Sequence, residues 1–214
     1  MQLIIFGAPG VGKGTQAKII SEKLNIRHIS TGDILRDSIQ KDTVTGHKAK
    51  EYMDKGFLVP DEIIGELVKE ALDCEDCHKG FILDGYPRTI DQVKILDNIL
   101  AQLGREDFTL IKLDADVDQL VDRLTSRREC LNCKSIVNLK LLDKPDTCPV
   151  CGKTNVFAKR KDDDAEIIRN RLKIYNETTR PVLDYYMGKK TIVRVVGTNP
   201  IEKVTEDILA ALKV

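Results

Sequence analysis

The sequence predicts an α/β fold in which a parallel sheet is flanked by helices and interrupted by two inserted lobes. Apolar runs of strand length at 3–6, 81–83, 108–113 and 191–196 alternate with segments of helical period such as 15–24, the pattern of a parallel sheet covered by helices. The first run leads straight into a glycine-rich turn that opens a helix. Two stretches, about 30–59 and 127–163, break the alternation, the first polar and helical, the second carrying paired cysteines and short β-like runs.

Taken in order, residues 3–6 (Leu-Ile-Ile-Phe) form the first strand, and Gly7-Ala8-Pro9-Gly10-Val11-Gly12-Lys13 comes directly after it. A G-x-x-x-x-G-K loop between strand and helix is a P-loop: its glycines let backbone N–H groups turn around phosphate oxygens, and the lysine reaches the terminal phosphates. The hydroxyl normally found directly after the lysine is displaced, since Gly14 stands there and Thr15 comes next. Asp84, at the end of the run 81–83, supplies an alternative carboxylate for Mg2+, directly or through water. Residues 27–30 are a short, charged candidate for a fifth strand that leads into Thr31-Gly32-Asp33, a helix entry. The charged patch Lys161-Asp162-Asp163-Asp164 reads as solvated surface.

The chain of 214 residues suits one main core with insertions. Its 34 basic and 34 acidic residues cancel, so no broad positive field is present for nucleic acid or an anionic membrane. No apolar stretch approaches the ~20 residues that span a bilayer, and the N-terminus lacks signal-peptide character, so the expected location is cytoplasmic. Cys130-x-x-Cys133 and Cys148-x-x-Cys151, fourteen residues apart, have the spacing of a structural Zn2+ site with four thiolates and no open position. Iron or cobalt suits the same ligands. Cys74-x-x-Cys77-His78 has no second pair nearby; it is expected to be neither metal site nor redox pair, with His78 at a helix C-terminus.

Several further motifs occur in one order: Gly7 to Gln16, Ser30-Thr-Gly-Asp-Ile-Leu-Arg36, Gly56-Phe-Leu-Val-Pro-Asp61, Leu83-Asp-Gly-Tyr-Pro-Arg-Thr89, Val121-Asp-Arg-Leu124 and Arg160-Lys-Asp-Asp163. On these the chain resembles the adenylate kinase family over essentially its whole length, and Gly14-Thr15 matches the family's displaced hydroxyl. The resemblance implies reversible, Mg2+-dependent transfer, ATP + AMP = 2 ADP, with ATP, AMP and ADP as the only partners of a monomer. It implies a core of 1–29, 60–126 and 164–214, a monophosphate-binding lobe at 30–59 and a metal-bearing lid at 127–163. Lys13, Arg88, Arg127, Arg160 and Arg171 are the implied catalytic cations. Gly10, Val11, Gly12, Lys13, Gly14, Thr15, Arg123, Arg127, Ile136, Val137 and Asn199 would meet ATP, with Arg123 stacked on its base. Thr31, Arg36, Phe57, Leu58, Val59, Gly85, Tyr86, Arg88, Gln92, Arg160 and Arg171 would meet AMP, Gln92 reading adenine with one donor and one acceptor. The lid departs from zinc-bearing relatives at Ser135-Ile136-Val137-Asn138, so Ile136 and Val137 either cover the base or form the lid's small core.

Overall fold

The computed structural model describes residues 1–214, the side chains of Val117 and Asp118 excepted. The chain runs through β1 (Gln2–Gly7), α1 (Lys13–Leu24), β2 (Arg27–Ser30), α2 (Thr31–Gln40), α3 (Val44–Asp54), α4 (Asp61–Leu72), β3 (Phe81–Asp84) and α5 (Ile90–Gln102). It continues through β4 (Thr109–Asp114), α6 (Val117–Thr125), β5 (Arg127–Cys130), β6 (Ile136–Asn138) and β7 (Phe157–Ala158). It ends with α7 (Ala165–Ile174), α8 (Arg180–Tyr186), β8 (Thr191–Val196) and α9 (Ile201–Leu212).

The main sheet has the strand order β2-β3-β1-β4-β8 and all its pairings are parallel. Alternate residues of β1 serve opposite faces, as the two-residue period of a strand requires. Ile4 and Phe6 pack with Val68, Leu96, Leu100 and Val182 from α4, α5 and α8. Leu3 and Ile5 pack with Ala17, Ile20, Leu120, Ile168 and Ile208 from α1, α6, α7 and α9. Burial on both faces is why β1 and β3 read as unbroken apolar runs. β2 lies at the edge, where Arg27 faces solvent, which explains its weak sequence signal.

Because the strands are parallel, their C-terminal ends bring Gly7, Ser30, Asp84, Asp114 and Val196 to one edge, where α/β sheets bind ligands. The segment 30–59 rises from that edge as α2 and α3. β5, β6 and β7 form a separate antiparallel sheet in the order β6-β5-β7. Between α7 and α8, Tyr175–Thr179 winds as a single wide π turn, so 165–186 is one continuous rod. No helix among the described residues is long and apolar enough to cross a membrane.

Candidate functional site

The loop after β1 delivers Lys13 to the first turn of α1, whose N-cap is Gly12 at φ 109°, a conformation that favours glycine. Lys13 Nζ donates to the carbonyls of Gly7 at 2.8 Å and Ala8 at 3.1 Å. Burial, reinforced by Arg88, Arg171 and Arg127 and opposed by Asp84, pulls its pKa from 10.5 to about 8. Val11 is buried, whereas Gly14 is open and Thr15 half-buried. A Cβ at Gly14 would stand 3.3 Å from Asp84 Oδ2, so a serine or threonine there would crowd the carboxylate. That is a physical reason for the displaced hydroxyl. Asp84 ends β3; His28 Nε2, buried and without a hydrogen-bond partner among the described residues, lies 3.9 Å from it. A carboxylate flanked by open backbone at Gly14 and an unpaired polar nitrogen fits a hydrated cation beside a phosphate.

The shift of Lys13 has a signed consequence. Between pH 8 and 10.5 the unfolded chain holds more protons than the folded one, so folding stability gains from this group as pH rises through that window. A polyphosphate bound beside it would restore the ammonium. Binding of a triphosphate at pH 8.5 is therefore expected to take up as much as one proton, read as a buffer-dependent heat in calorimetry with two buffers of different ionisation enthalpy.

Cations reach this edge from several segments. Arg36 on α2 pairs with Asp33. Arg88 lies just beyond β3, and its Nε donates to the Gly85 carbonyl at 2.6 Å. Arg127 opens β5 and donates two bonds to Asp163, one of them 2.8 Å from Nε. Arg160 Nε donates to Asp162 at 3.1 Å, and Arg171 on α7 lies 2.8 Å from the other oxygen of Asp162. Of the patch expected to be solvated, Lys161 and Asp164 are exposed, but its middle is an anionic hub: Asp163 is 0% exposed and Asp162 only 16%. Its cause is long-range, since arginines from β5 and α7 close over it. Burial would raise the Asp162 carboxyl, but Arg171, Arg160 and Arg127 outweigh it and hold the group far below the usual carboxylate range. Burial lowers Arg171 to about 10 despite Asp162, while for Arg160 the two aspartates prevail over burial and raise it.

One open cleft, about 1030 Å³ with the adjoining solvent space counted in, unites Lys13, Arg36, Arg88, Arg171 and Asp162 with Thr31, Phe57, Leu58, Val59, Gly85, Tyr86 and Gln92. Gly85, at φ 84°, has no room for a Cβ, which would fall 2.9 Å from Thr31 Oγ1 and 3.0 Å from Arg88 Nη2. Val59 and Tyr86 are buried; Phe57 is half exposed at the rim. Gln92 is 2% exposed. Its Oε1 accepts from the Arg88 N–H at 2.7 Å and its Nε2 donates to Asp61 at 2.7 Å. On the other side of the glycine loop, Arg123 Nη1 donates to the Gly197 carbonyl at 3.2 Å and approaches Gly12; Asn199, two residues beyond, is exposed. Ile136 and Val137 face opposite ways on β6: Ile136 is 38% exposed, whereas Val137, at 9%, belongs to the lid interior.

The four lid cysteines converge with every Sγ within 4.8 Å of the others. Two separations, Cys130–Cys151 and Cys133–Cys148, are 3.7 Å. A tetrahedron with ~2.3 Å zinc–sulfur bonds has edges of about 3.8 Å, so the thiol set fits zinc. Both knuckles share one backbone pattern. Lys134 N–H donates to the Cys130 carbonyl at 2.8 Å, and Gly152 N–H to the Cys148 carbonyl at 2.9 Å. Lys134 (φ 59°) and Gly152 (φ 69°) both take the left-handed conformation. Lys134→Gly is accordingly expected to stabilise the metal-loaded protein by up to ~1 kcal/mol in thermal melting. Hydrogen bonds from Ser135 pull the Cys133 thiol down to about 6, toward the thiolate that a metal requires.

Cys74 and Cys77 stand with sulfurs 3.0 Å apart beside a short 3-10 turn, and no group of three or more candidate ligands forms around them among the described residues. His78 is in the last turn, as expected, but its Nδ1 faces the Arg105 guanidinium at 3.3 Å. Sequence reasoning gives no role to Asp61, Thr89 or His28, and it meets Asp162 and Asp163 only as motif members and solvated charge. Asp61 meets Thr89 and Gln92, His28 faces Asp84, and Asp163 takes Arg127, each across a long stretch of sequence.

Comparison with known proteins agrees with this geometry. A family model described as adenylate kinase matches residues 5–191. Curated relatives named adenylate kinase include that of Caldicellulosiruptor bescii, 44% identical over 214 residues, covering 99% of each chain. Those of Methanocella arvoryzae and Archaeoglobus fulgidus are each 45% identical, covering all of this chain and 99% and 98% of their own.

Proposed function

The chain belongs to the adenylate kinase family and is a phosphotransferase of the reaction ATP + AMP = 2 ADP, and from that premise we propose how its residues divide the work. The acceptor is already an anionic phosphate oxygen, so the reaction needs alignment and charge stabilisation more than a strong base. The backbone of residues 10–15 and Lys13 hold the donor triphosphate, with Arg123 stacked on the donor base and Ile136 and the chain near Asn199 at its edge. Val137 supports Ile136 from inside the lid. Arg36 and Arg88 hold the phosphate of AMP, whose nucleoside sits against Thr31, Phe57, Leu58, Val59, Gly85 and Tyr86 and whose base is read by Gln92. Arg127, Arg160 and Arg171 meet the transferring group, their planar forks suited to its oxygens.

Asp84 would hold Mg2+ through water; bound with ATP, the ion neutralises phosphate charge. Cys130, Cys133, Cys148 and Cys151 would hold Zn2+ as a staple for the lid. The segments 30–59 and 127–163 act as covers over a core of 1–29, 60–126 and 164–214, closing to exclude water and bring the arginines in. The enzyme works as a cytoplasmic monomer, a reducing setting that suits four metal-binding thiolates.

What supports this reading is the convergence of Lys13, Arg36, Arg88 and Arg171 on one cleft. Initial rates with ATP and, in turn, AMP, CMP, UMP and GMP test it. AMP is expected to be turned over fastest; slower turnover of AMP than of another monophosphate would overturn the assignment of the acceptor pocket.

A further inference from the structure

Gln92 is held at both ends of its amide. Its oxygen accepts from the backbone N–H of Arg88 at 2.7 Å, and its nitrogen donates to Asp61 Oδ1 at 2.7 Å. A backbone N–H only donates and a carboxylate only accepts, so these two partners admit one orientation of the amide and not its reverse. Asp61 is itself fixed, because the hydroxyl of Thr89 donates to Oδ2 at 3.0 Å while the same oxygen of Thr89 caps α5 by accepting from Gln92 N–H at 3.0 Å. Asp61 opens α4 and Gln92 lies in the first turn of α5, so two helix starts clamp one side chain.

A primary amide has two N–H donors and two acceptor lone pairs. One of each is used internally, which leaves one N–H and one lone pair for a ligand in the cleft that Gln92 lines. An adenine edge offers an amino donor beside a ring-nitrogen acceptor. A hypoxanthine or guanine edge offers a carbonyl acceptor beside a ring N–H donor, the opposite polarity. Turned by 180°, the same glutamine would suit the 6-oxopurine.

We propose that Asp61 is a specificity-determining residue that locks the Gln92 amide in the polarity that accepts a 6-aminopurine monophosphate and refuses a 6-oxopurine one. The inference rests on Gln92 as the base reader. Turning the amide in the wild-type protein would set its oxygen against a carboxylate and its N–H₂ against an N–H, losing two buried hydrogen bonds and creating two repulsive contacts.

The test is kcat/KM for AMP and for IMP, with ATP as donor, in the wild type, Asp61→Asn, Asp61→Ala and Gln92→Leu. Asparagine is isosteric with aspartate yet presents either an oxygen or an N–H₂ to Gln92, and alanine removes the lock altogether. Both Asp61 variants are expected to reduce the AMP-to-IMP ratio by roughly ten- to a hundredfold, with turnover of IMP rising in Asp61→Asn. A ratio that stays at the wild-type value in both, or equal proportional losses for the two substrates, overturns the lock. If Gln92→Leu abolishes discrimination while the Asp61 variants keep it, the base reader stands and the lock alone falls. If Gln92→Leu also retains the wild-type ratio, both fall. A readout on unaltered protein is independent of how the variants fold: in the free enzyme labelled with ¹⁵N, one Gln92 side-chain proton should be protected from solvent exchange, and two unprotected protons would overturn the lock.

Discussion

Arg88→Met is expected to lower kcat/KM for AMP by roughly 10² to 10³, which corresponds to about 3 to 4 kcal/mol of transition-state stabilisation, while the melting temperature holds or rises. The two parts have one cause. Burial pulls the Arg88 guanidinium below its ordinary pKa, Asp84 and Asp162 oppose that fall, and Arg36 adds to it. A charge held among other charges without a dedicated carboxylate partner burdens the folded state, and a flexible apolar side chain of similar length removes the burden. The same charge is what an incoming phosphate would meet. A coupled assay and a thermal melt on one preparation check both parts, and a variant that melted well below the wild type while keeping its turnover would contradict the assignment of Arg88 to the site.

Removing the lid metal with a strong chelator is expected to lower the melting temperature by about 10 °C or more, with a separate early transition for the lid. Within 127–163 the buried apolar side chains are Cys130, Val137 and Cys148, so the lobe has almost no core apart from its thiol cluster. The segment 127–163 carries Arg127 and Arg160, so turnover at low temperature should fall without vanishing, since Lys13 and Arg88 stand beside the main sheet, outside that segment. Elemental analysis before and after chelation checks that zinc is the ion lost. Complete loss of activity with an unchanged melt would argue against a purely structural ion.

The main sheet was legible because burial on both faces turns β1 and β3 into apolar runs, and most of β4 with them, while β8 at the far edge still reads as a run although Val195 alone of its residues is buried. β2 was legible only through the helix entry at Thr31-Gly32-Asp33, as an edge strand carries Arg27 and His28 without penalty. The phosphate loop was legible in type and position, but the reason for Gly14 lies in Asp84, seventy residues on, and only the sheet order brings the two together. Asp162 and Asp163 misled because a run of charges is ordinarily solvated; what buries them is the arrival of Arg127 and Arg171, which local composition cannot register. For Gln92 the family resemblance implied an adenine reader, whereas the orientation of its amide is set against Asp61, thirty-one positions earlier.

The wide turn at Tyr175–Thr179 bears on mechanics. The rod 165–186 is bedded in the core on both sides of it: Ile168 and Leu172 pack with Leu3 and Ile5 on one face of the sheet, and Val182, Leu183 and Tyr186 with Ile4 and Phe6 on the other. Beside Asn170, which donates to the Lys55 carbonyl, the rod also abuts the chain after α3. With both halves anchored, Arg171 stands on a fixed support, and the extra width of the turn falls in the cleft wall, where Ile174, Tyr175 and Thr179 line it.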